Sequence, residues 1–240
     1  MKSIFSKTLL PLLAAAALTL SSTPIRAADS PTPSAAPGLA SILTGAPVVL
    51  SDFNAAGGWQ PGAAEAQGTG ASAAIKGAGP STHPYASTAA GAPGPVQSLK
   101  VDLKLPSAAG VHIAPGKDWD NLAAVQFAVY LPADAPTSLS LGIYVKDNEW
   151  LWYESYPLRA AAGTGHAELV PGGWTTVTVD LRPSALGWTP GGHAKPWLNS
   201  SQPLLEFGLL FYSKTPFTGT VEISPLRGRR AAPAADTGPA

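Results

Sequence analysis

Residues 98–105, SLKVDLKL, decide the fold class. Apolar Leu99, Val101, Leu103 and Leu105 alternate there with polar residues, a pattern typical of a strand with one buried and one solvated face. The alternation recurs over 125–131, 139–145, 177–181, 205–212 and 221–223. Turn residues bound these runs, and we expect Pro106 to end the first. The sequence therefore predicts an all-β protein, an antiparallel β-sandwich or jelly roll, with disordered N- and C-terminal segments.

The composition excludes several classes of protein. Gly 25 and Pro 25 together make about a fifth of the 240 residues, which disfavours long helices. Lys+Arg 15 balances Asp+Glu 15, so the chain lacks the basic surface of a nucleic-acid binder. The absence of cysteine excludes disulfides, thiolate nucleophiles and Cys-based zinc sites. The histidines have no metal-ligand spacing; they are His83, His112, His166 and His193.

The N-terminus is typical of a secretory signal peptide. Lys2 and Lys7 precede an apolar stretch, residues 9–20. A short segment that ends at Ala27 follows it. The apolar stretch is too short to span a bilayer, which needs about 20 residues. We expect cleavage after Ala27 and an exported protein, periplasmic or extracellular, that does not span the membrane.

Composition also predicts the domain organisation. Residues 1–27 form the signal peptide and 28–47 an Ala/Pro/Ser-rich linker. Residues 48–228 form the β-sandwich domain and 229–240 a disordered tail. Within the domain, the Gly/Ala-rich region 55–95 is expected to be a long surface loop that carries one or two short strands.

Five short segments, in their order along the chain, resemble those of secreted carbohydrate-binding modules with the galactose-binding-like jelly-roll fold. They are VVLSDF at 48–53 with Trp59, QSLKVD at 97–102, WDN at 119–121, GWTTVTVDL at 173–181, and FGL at 207–209 with GTVEI at 219–223. The resemblance covers 48–226. It implies that fold, binding of a polysaccharide or oligosaccharide, and a place for a structural calcium ion.

The calcium expectation depends on one residue. The resemblance implies an Asp after the last Ile and a Glu after Asp-Phe, where this chain has Ser224 and Asn54. Asp52 is the remaining candidate ligand, whereas calcium usually takes several oxygen ligands, more than one of them a carboxylate. The alternative is that Asp52 caps a turn. No other cofactor is expected.

The candidate ligand site centres on residues 149–156, EWLWYESY. In a strand, Trp150, Trp152, Glu154 and Tyr156 would share one face, and Leu151 and Tyr153 the other. Aromatic rings pack against pyranose C–H faces, and polar side chains between them hydrogen-bond the hydroxyls. The candidate ligand-binding residues, on one concave sheet face, are Trp150, Trp152, Glu154, Tyr144, Lys146, Gln126, Tyr130, Glu206 and Tyr212.

The sequence leaves open which face of 149–156 is buried, because Trp and Tyr also fill sandwich cores. We expect Trp174 in the core, ahead of the Val177 strand. Trp188 and Trp197 are expected to be exposed or half-exposed in a Gly/Pro-rich loop.

Three functions are compatible with these patterns. The first is a secreted, non-catalytic carbohydrate-binding module. The second is a glycan-active hydrolase or lyase that uses Glu154 and Glu206, since glycoside hydrolysis needs two facing carboxylates. The third is a structural or protein-interaction module of the cell envelope, with its aromatic residues buried. The sequence does not give the sugar or the oligomeric state.

Overall fold

The computed structural model of the protein describes residues 47–62, 70–85, 96–155, 167–183, 185, 187–195, 198 and 202–230. All of them belong to one unit, Ala36–Ala240. The predicted signal peptide, most of the predicted linker, Tyr156, His166 and Trp197 lie outside the described residues. So do residues 231–240 of the predicted tail.

The described residues form twelve β-strands and a short 3-10 helix, Lys117–Trp119, with no α-helix among them. The strands are β1 (Val48–Ser51), β2 (Gln60–Pro61), β3 (Ser72–Pro80), β4 (Gln97–Ile113), β5 (Leu122–Tyr130), β6 (Ser140–Lys146), β7 (Trp152–Ser155), β8 (Ala167–Glu168), β9 (Trp174–Asp180), β10 (Trp188–Pro190), β11 (Glu206–Ile223) and β12 (Leu226–Arg230). Every strand pair is antiparallel. The predicted all-β antiparallel fold is confirmed.

Two long strands, β4 and β11, pair with each other over most of their length and contribute to both layers of the sandwich. The front layer has the order β2-β4-β11-β6-β7-β10, using the second half of β4 and the first half of β11. The back layer uses the opposite halves of β4 and β11, flanked by β3 and β5. There β5 also pairs with β9 and β12, and β12 pairs with β1.

The strands β4 and β11 cross from one layer to the other at a β-bulge within the strands, not at a strand end. The register of β11 against β4 shifts between Ser213 and Phe217, and Ser107 opposite has a φ of 83°. Bulges of this kind bend a strand and increase its twist. Pro106 was expected to end the run, but β4 continues through it, since a bulge is one of the few places where a strand tolerates proline.

Alternate residues of both layers meet in one hydrophobic core. Leu99 and Val129 of the back layer and Ile143 and Leu209 of the front layer have no exposed surface. These are the apolar positions of the alternating runs, so the predicted inward face of each run is confirmed. The outward positions therefore carry the polar and aromatic residues from which a surface site can be built.

Two tryptophans were assigned wrongly. Trp174 was expected in the core, but it is half-buried on the outer face of β9, because it shares its side with Thr176 and not with Val177. Trp188 was expected to be exposed or half-exposed, but it lies in β10 and only 9% of its surface is accessible. Its indole Nε1 donates a hydrogen bond to the Asp180 carbonyl oxygen at 2.9 Å.

The ends of the domain differ slightly from the prediction. The last strand, β12, ends at Arg230 rather than before 229, where the tail was expected to begin. The region 55–95 holds β2 and β3, and Ser72–Pro80 is longer than the short strands expected there. Among the described residues, no helix has the length and apolar character needed to cross a membrane.

Candidate functional site

Strand pairing brings most of the predicted site together on the outer surface of the front layer. Lys146 lies opposite Glu206 of β11 and Trp152 of β7, and Tyr144 lies opposite Glu154. Because paired residues in a sheet point to the same side, these side chains share one face. We call it the aromatic face; it comprises Tyr144, Lys146, Trp150, Trp152, Glu154, Glu206 and Tyr212.

A stacked pair of rings forms the centre of the aromatic face. The rings of Tyr144 and Trp152 are 4.0 Å apart between centroids and inclined by only 9°. Tyr144 has no exposed surface, and it packs with Leu210 in a small cluster outside the main core. Gly208 lies directly beneath the Tyr144 ring, so close that a Cβ at this position would collide with the ring. Tyr144, predicted to contact ligand, therefore supports Trp152 from below.

Polar side chains surround this stack. The Glu206 carboxylate accepts hydrogen bonds from the Tyr144 hydroxyl at 2.6 Å and from Lys146 Nζ at 3.2 Å. Lys146 Nζ also lies 5.6 Å from the centroid of the Trp150 ring and 5.7 Å from that of Trp152. Both distances are within the range of a cation–π interaction. The lysine thereby links the two tryptophans to the carboxylate.

The loop that carries Trp150 is held by a buried aspartate. Asp147 Oδ1 accepts backbone hydrogen bonds from Glu149 at 2.9 Å and Leu151 at 3.0 Å. Trp150 itself donates its backbone N–H to the Asp147 carbonyl at 3.0 Å and adopts a φ of 62°. Its side chain is 63% exposed. A tryptophan in the left-handed region is strained, and the hydrogen bonds to Asp147 hold the turn in this conformation.

The question of which face of 149–156 is buried is settled for the described residues. Trp152 and Glu154 point outward, and Tyr153 and Ser155 are buried. Trp150 precedes the strand, in the turn. Burial, reinforced by the negative charge of Asp147, raises the pKa of Tyr153.

The two glutamates of the hydrolase hypothesis lie on strands separated by β6. Glu206 lies opposite Lys146 and Glu154 opposite Tyr144, so two strand spacings and a two-residue offset place their backbones roughly 12 Å apart. Each carboxylate accepts a hydrogen bond from a tyrosine, Glu206 from Tyr144 at 2.6 Å and Glu154 from Tyr212 at 2.5 Å. These bonds fix the glutamates as acceptors within the aromatic face.

Gln126 and Tyr130 do not belong to this face, contrary to the prediction. Both lie on β5, which pairs with β9 and β12 and not with β6 or β7. Gln126 Nε2 donates to Thr178 Oγ1 at 3.3 Å, and Tyr130 stacks on His83 at 3.8 Å. Alternation predicted correctly that they point outward, but it could not tell which layer they belong to.

Two adjoining clefts open on the outer surface of the back layer. The Tyr85 cleft, about 310 Å³, is lined by Pro47, Tyr85, Val96, Gln126, Phe127, Thr176, Ser224, Pro225, Arg227 and Arg229. The Trp174 cleft, about 410 Å³, is lined by His83, Pro84, Tyr85, Tyr130, Gly172, Gly173, Trp174 and Thr176. The sequence analysis did not predict these clefts. Trp174 could have been identified from its two-residue spacing to the polar Thr176.

A hydrogen bond between the buried Glu222 carboxylate and the partly exposed His83 ring fixes the segment that leads to Tyr85. Glu222 accepts hydrogen bonds from Ser98 Oγ at 2.6 Å and pairs with His83 Nδ1 at 3.0 Å. Burial alone would raise the pKa of Glu222. Hydrogen bonds from Ser81, Ser98 and His83 outweigh burial, so the pKa lies below its ordinary value of 4.5. The carboxylate therefore stays charged and anchors His83 to the back layer.

At the predicted calcium site, Asp52 makes local contacts. Its carboxylate accepts hydrogen bonds from the Asn54 backbone N–H at 3.1 Å and from Asn54 Nδ2 at 2.5 Å. Ser224 is buried, and its Oγ accepts the backbone N–H of Ala128 at 2.8 Å. The described residues contain no cluster of three or more His, Asp or Glu side chains that could hold a metal. Calcium binding at Asp52 stays a prediction.

Neither a protein-family model nor a curated protein matches the chain. Among solved structures, the chain is similar to a family 11 carbohydrate-binding module of the cellulosomal cellulase Lic26A-Cel5E of Clostridium thermocellum. That match has a TM-score of 0.48 and 12% identity over 78% of this chain and 95% of the module. The chain is also similar to a family 11 module from the same organism in complex with a β-1,3-1,4-mixed-linked tetrasaccharide. That match has a TM-score of 0.45 and 11% identity over 77% of this chain and 96% of the module. A third similar structure is the CBM22-1 xylan-binding domain from Paenibacillus barcinonensis Xyn10C. That match has a TM-score of 0.41 and 14% identity over 78% of this chain and 97% of the domain.

Proposed function

We propose that the protein is an exported, non-catalytic carbohydrate-binding module that holds a polysaccharide on its aromatic face. The observation that carries the proposal is the arrangement of Trp150, Trp152 and Lys146. The ring centroids of an exposed indole, Trp150, and of a second, supported indole, Trp152, lie 5.6 and 5.7 Å from the Lys146 ammonium group.

The aromatic face is ordered before any ligand binds. Trp152 is held against Tyr144, and the Asp147 hydrogen bonds fix the Trp150 loop. Side chains that are already immobilised lose little conformational entropy on binding, which favours affinity. A pyranose ring that lays its C–H face on Trp150 would therefore meet a preformed surface.

The polar groups suit an uncharged sugar. Lys146 is paired with Glu206 at 3.2 Å, so the charges on this part of the face compensate each other. Glu154, which accepts from Tyr212, retains further acceptor capacity for sugar hydroxyls. The recognition chemistry we expect is stacking plus hydrogen bonding, with little dependence on salt concentration.

Export from the cytoplasm is also part of the proposal. The support is the predicted signal peptide, with Lys2 and Lys7 beside the apolar stretch 9–20. Detection of the protein in the periplasm or culture medium, with Ala28 as its first residue, tests this. An intact N-terminus in the cytoplasm would contradict it.

Affinity electrophoresis in gels that contain soluble neutral polysaccharides tests the binding proposal. The panel includes mixed-linked β-1,3-1,4-glucan and xylan, named for the similar modules. We expect one polymer to retard the protein and Trp150→Ala to lose most of that retardation. Val170→Ala, which also truncates an exposed apolar side chain, is the matched control and should behave like wild type.

Two outcomes would contradict the proposal. The first is that none of the neutral polymers retards the protein, which would contradict polysaccharide binding by the aromatic face. Release of reducing ends from the retarding polymer, lost in Glu206→Gln, would show that the protein is a hydrolase rather than a non-catalytic module.

A further inference from the structure

We propose that the Tyr85 cleft on the back layer is a second binding site, for an acidic sugar residue of a polysaccharide. The shared chemistry of that residue is an anionic substituent on a sugar ring, either a uronate carboxylate or a sulfate ester. The inference uses different residues from the aromatic face and does not depend on the function proposed for that face.

The dimensions of the cleft suit a sugar. Its volume of about 310 Å³ lies at the lower end of the range for small-molecule sites. It shares Tyr85 and Thr176 with the neighbouring Trp174 cleft, of about 410 Å³. A chain of more than one sugar could therefore extend from the first cleft into the second.

The charge of the cleft selects for an anion. Arg227, which is exposed, brings a positive charge to the cleft, and Arg229 lies buried in its wall; none of the described residues that line the cleft carries a carboxylate. A planar guanidinium can donate two parallel hydrogen bonds to a carboxylate or sulfate, which makes arginine well suited to such groups.

Neighbouring carboxylates have partners of their own. Asp180 is paired with Arg182 at 2.6 Å on the far end of β9. Glu222 is buried, accepts from Ser98 and pairs with His83. Neither of these two carboxylates is among the described residues that line the cleft, so Arg227 provides the charge that favours an anion there.

The rest of the lining has the groups that a sugar ring requires. The Tyr85 ring lies 5.2 Å from that of Trp174, and its hydroxyl is 3.1 Å from Thr176 Oγ1, so the ring is fixed in the wall. Gln126 and Thr176 contribute amide and hydroxyl groups for hydrogen bonds to sugar hydroxyls. An aromatic wall, neutral hydrogen-bonding groups and a cationic end together favour an acidic sugar over a simple inorganic anion.

The test is affinity electrophoresis of the purified protein with polygalacturonate and with dextran sulfate, next to the neutral panel. We expect retardation by at least one acidic polymer, and Arg227→Gln to weaken that binding about five-fold, the upper range for an exposed charge pair. Arg230→Gln makes the same charge change on the same strand outside the cleft and should behave like wild type. Tyr85→Ala should also weaken binding to the acidic polymer.

The outcomes separate this inference from the function of the aromatic face. Trp150→Ala should leave acidic-polymer binding unchanged, and Arg227→Gln should leave neutral-polymer binding unchanged. Equal losses in Arg227→Gln and Arg230→Gln would show a diffuse charge effect and overturn the inference, as would retardation by no acidic polymer. Complete displacement by inorganic sulfate at constant ionic strength, with Tyr85→Ala unaffected, would show an anion site without sugar recognition and overturn it as well.

Discussion

Trp152 lies flat on Tyr144, with 4.0 Å between ring centroids and 9° between ring planes. Tyr144 in turn covers the backbone of Gly208 on the neighbouring strand. The aromatic face is therefore layered: a glycine admits a buried tyrosine, and the tyrosine supports a half-exposed tryptophan. Its order derives from strand pairing, so changes beneath the rings should affect binding without touching a ligand.

Gly208→Ala should disrupt this layering. The added Cβ would meet the Tyr144 ring, which is closed in by Trp152 above, and overpacking of this kind costs about 1–3 kcal/mol. We expect a lower free energy of unfolding in a denaturant titration and weaker binding to the retarding polymer. Gly79→Ala, in a strand with open space around the new Cβ, is the control. Wild-type binding by Gly208→Ala would show that the Tyr144–Trp152 stack does not position the ligand.

Trp150→Gly should separate stability from binding. The φ of 62° at this position costs an L-residue roughly 1–2 kcal/mol, a cost that glycine does not have. We expect Trp150→Gly to be about 1 kcal/mol more stable than Trp150→Ala by thermal or chemical denaturation. Both variants lack the indole and should lose polymer retardation equally. A Trp150→Gly variant that binds like wild type would exclude this indole from the site.

Glu222→Gln should lose stability in a pH-dependent way. Since the folded-state pKa of Glu222 lies below 4.5, its contribution is complete above the unfolded-state pKa and is lost as the pH falls through the folded-state pKa. The stability difference between wild type and Glu222→Gln should therefore be large at pH 6 and should shrink below about pH 4.5.

The measurement is the unfolding free energy at several pH values between 3 and 7. Ser138→Ala, which removes an exposed hydroxyl that does not titrate in this range, is the control and should show no comparable trend. A difference for Glu222→Gln that stays constant, or grows as the pH falls, would contradict the role of the charged Glu222 in anchoring His83.

Ser224→Ala should destabilise the back layer. Ser224 is buried, and its Oγ accepts the Ala128 backbone N–H at 2.8 Å, which the variant would leave without that acceptor. An unsatisfied buried donor costs about 1–3 kcal/mol. Ser138→Ala removes an exposed hydroxyl and should change the unfolding free energy by less than about 0.5 kcal/mol. Equal effects of the two substitutions would contradict a structural role for the Ser224 hydroxyl.

Alternation along the chain was sufficient to predict most of the longer strands and their inward faces. It also predicted that Trp152 and Tyr153 lie on opposite sides, but not which of the two is buried. It could not assign strands to layers, because pairing of β5 with β9 rather than β6 depends on contacts distant in sequence. Gln126 and Tyr130 were therefore grouped with residues of the other layer. Burial of Tyr144 was likewise not predictable, since it follows from Gly208 on another strand.

The Tyr85 cleft was missed for a related reason. Its cations, Arg227 and Arg229, come from β12, which follows a short break after β11, and its aromatic wall comes from a segment expected to be loop. Tyr85 and Arg227 are more than a hundred residues apart in the chain. They reach the same surface because β5 pairs with β12 on one side and on the other with β9, whose Thr176 contacts Tyr85.

The most direct test of the binding account follows the indole N–H signals of the protein by two-dimensional ¹H–¹⁵N NMR during titration with an oligosaccharide of the retarding neutral polymer. The chain has Trp 7, and the exposed Trp150 and half-exposed Trp152 lie on the aromatic face, whereas Trp59 and Trp119 are each only 6% exposed. The account predicts that the signals of Trp150 and Trp152 shift with ligand concentration while those of Trp59 and Trp119 stay in place. Shifts confined to Trp174, or no indole shift under conditions in which the polymer binds, would contradict it.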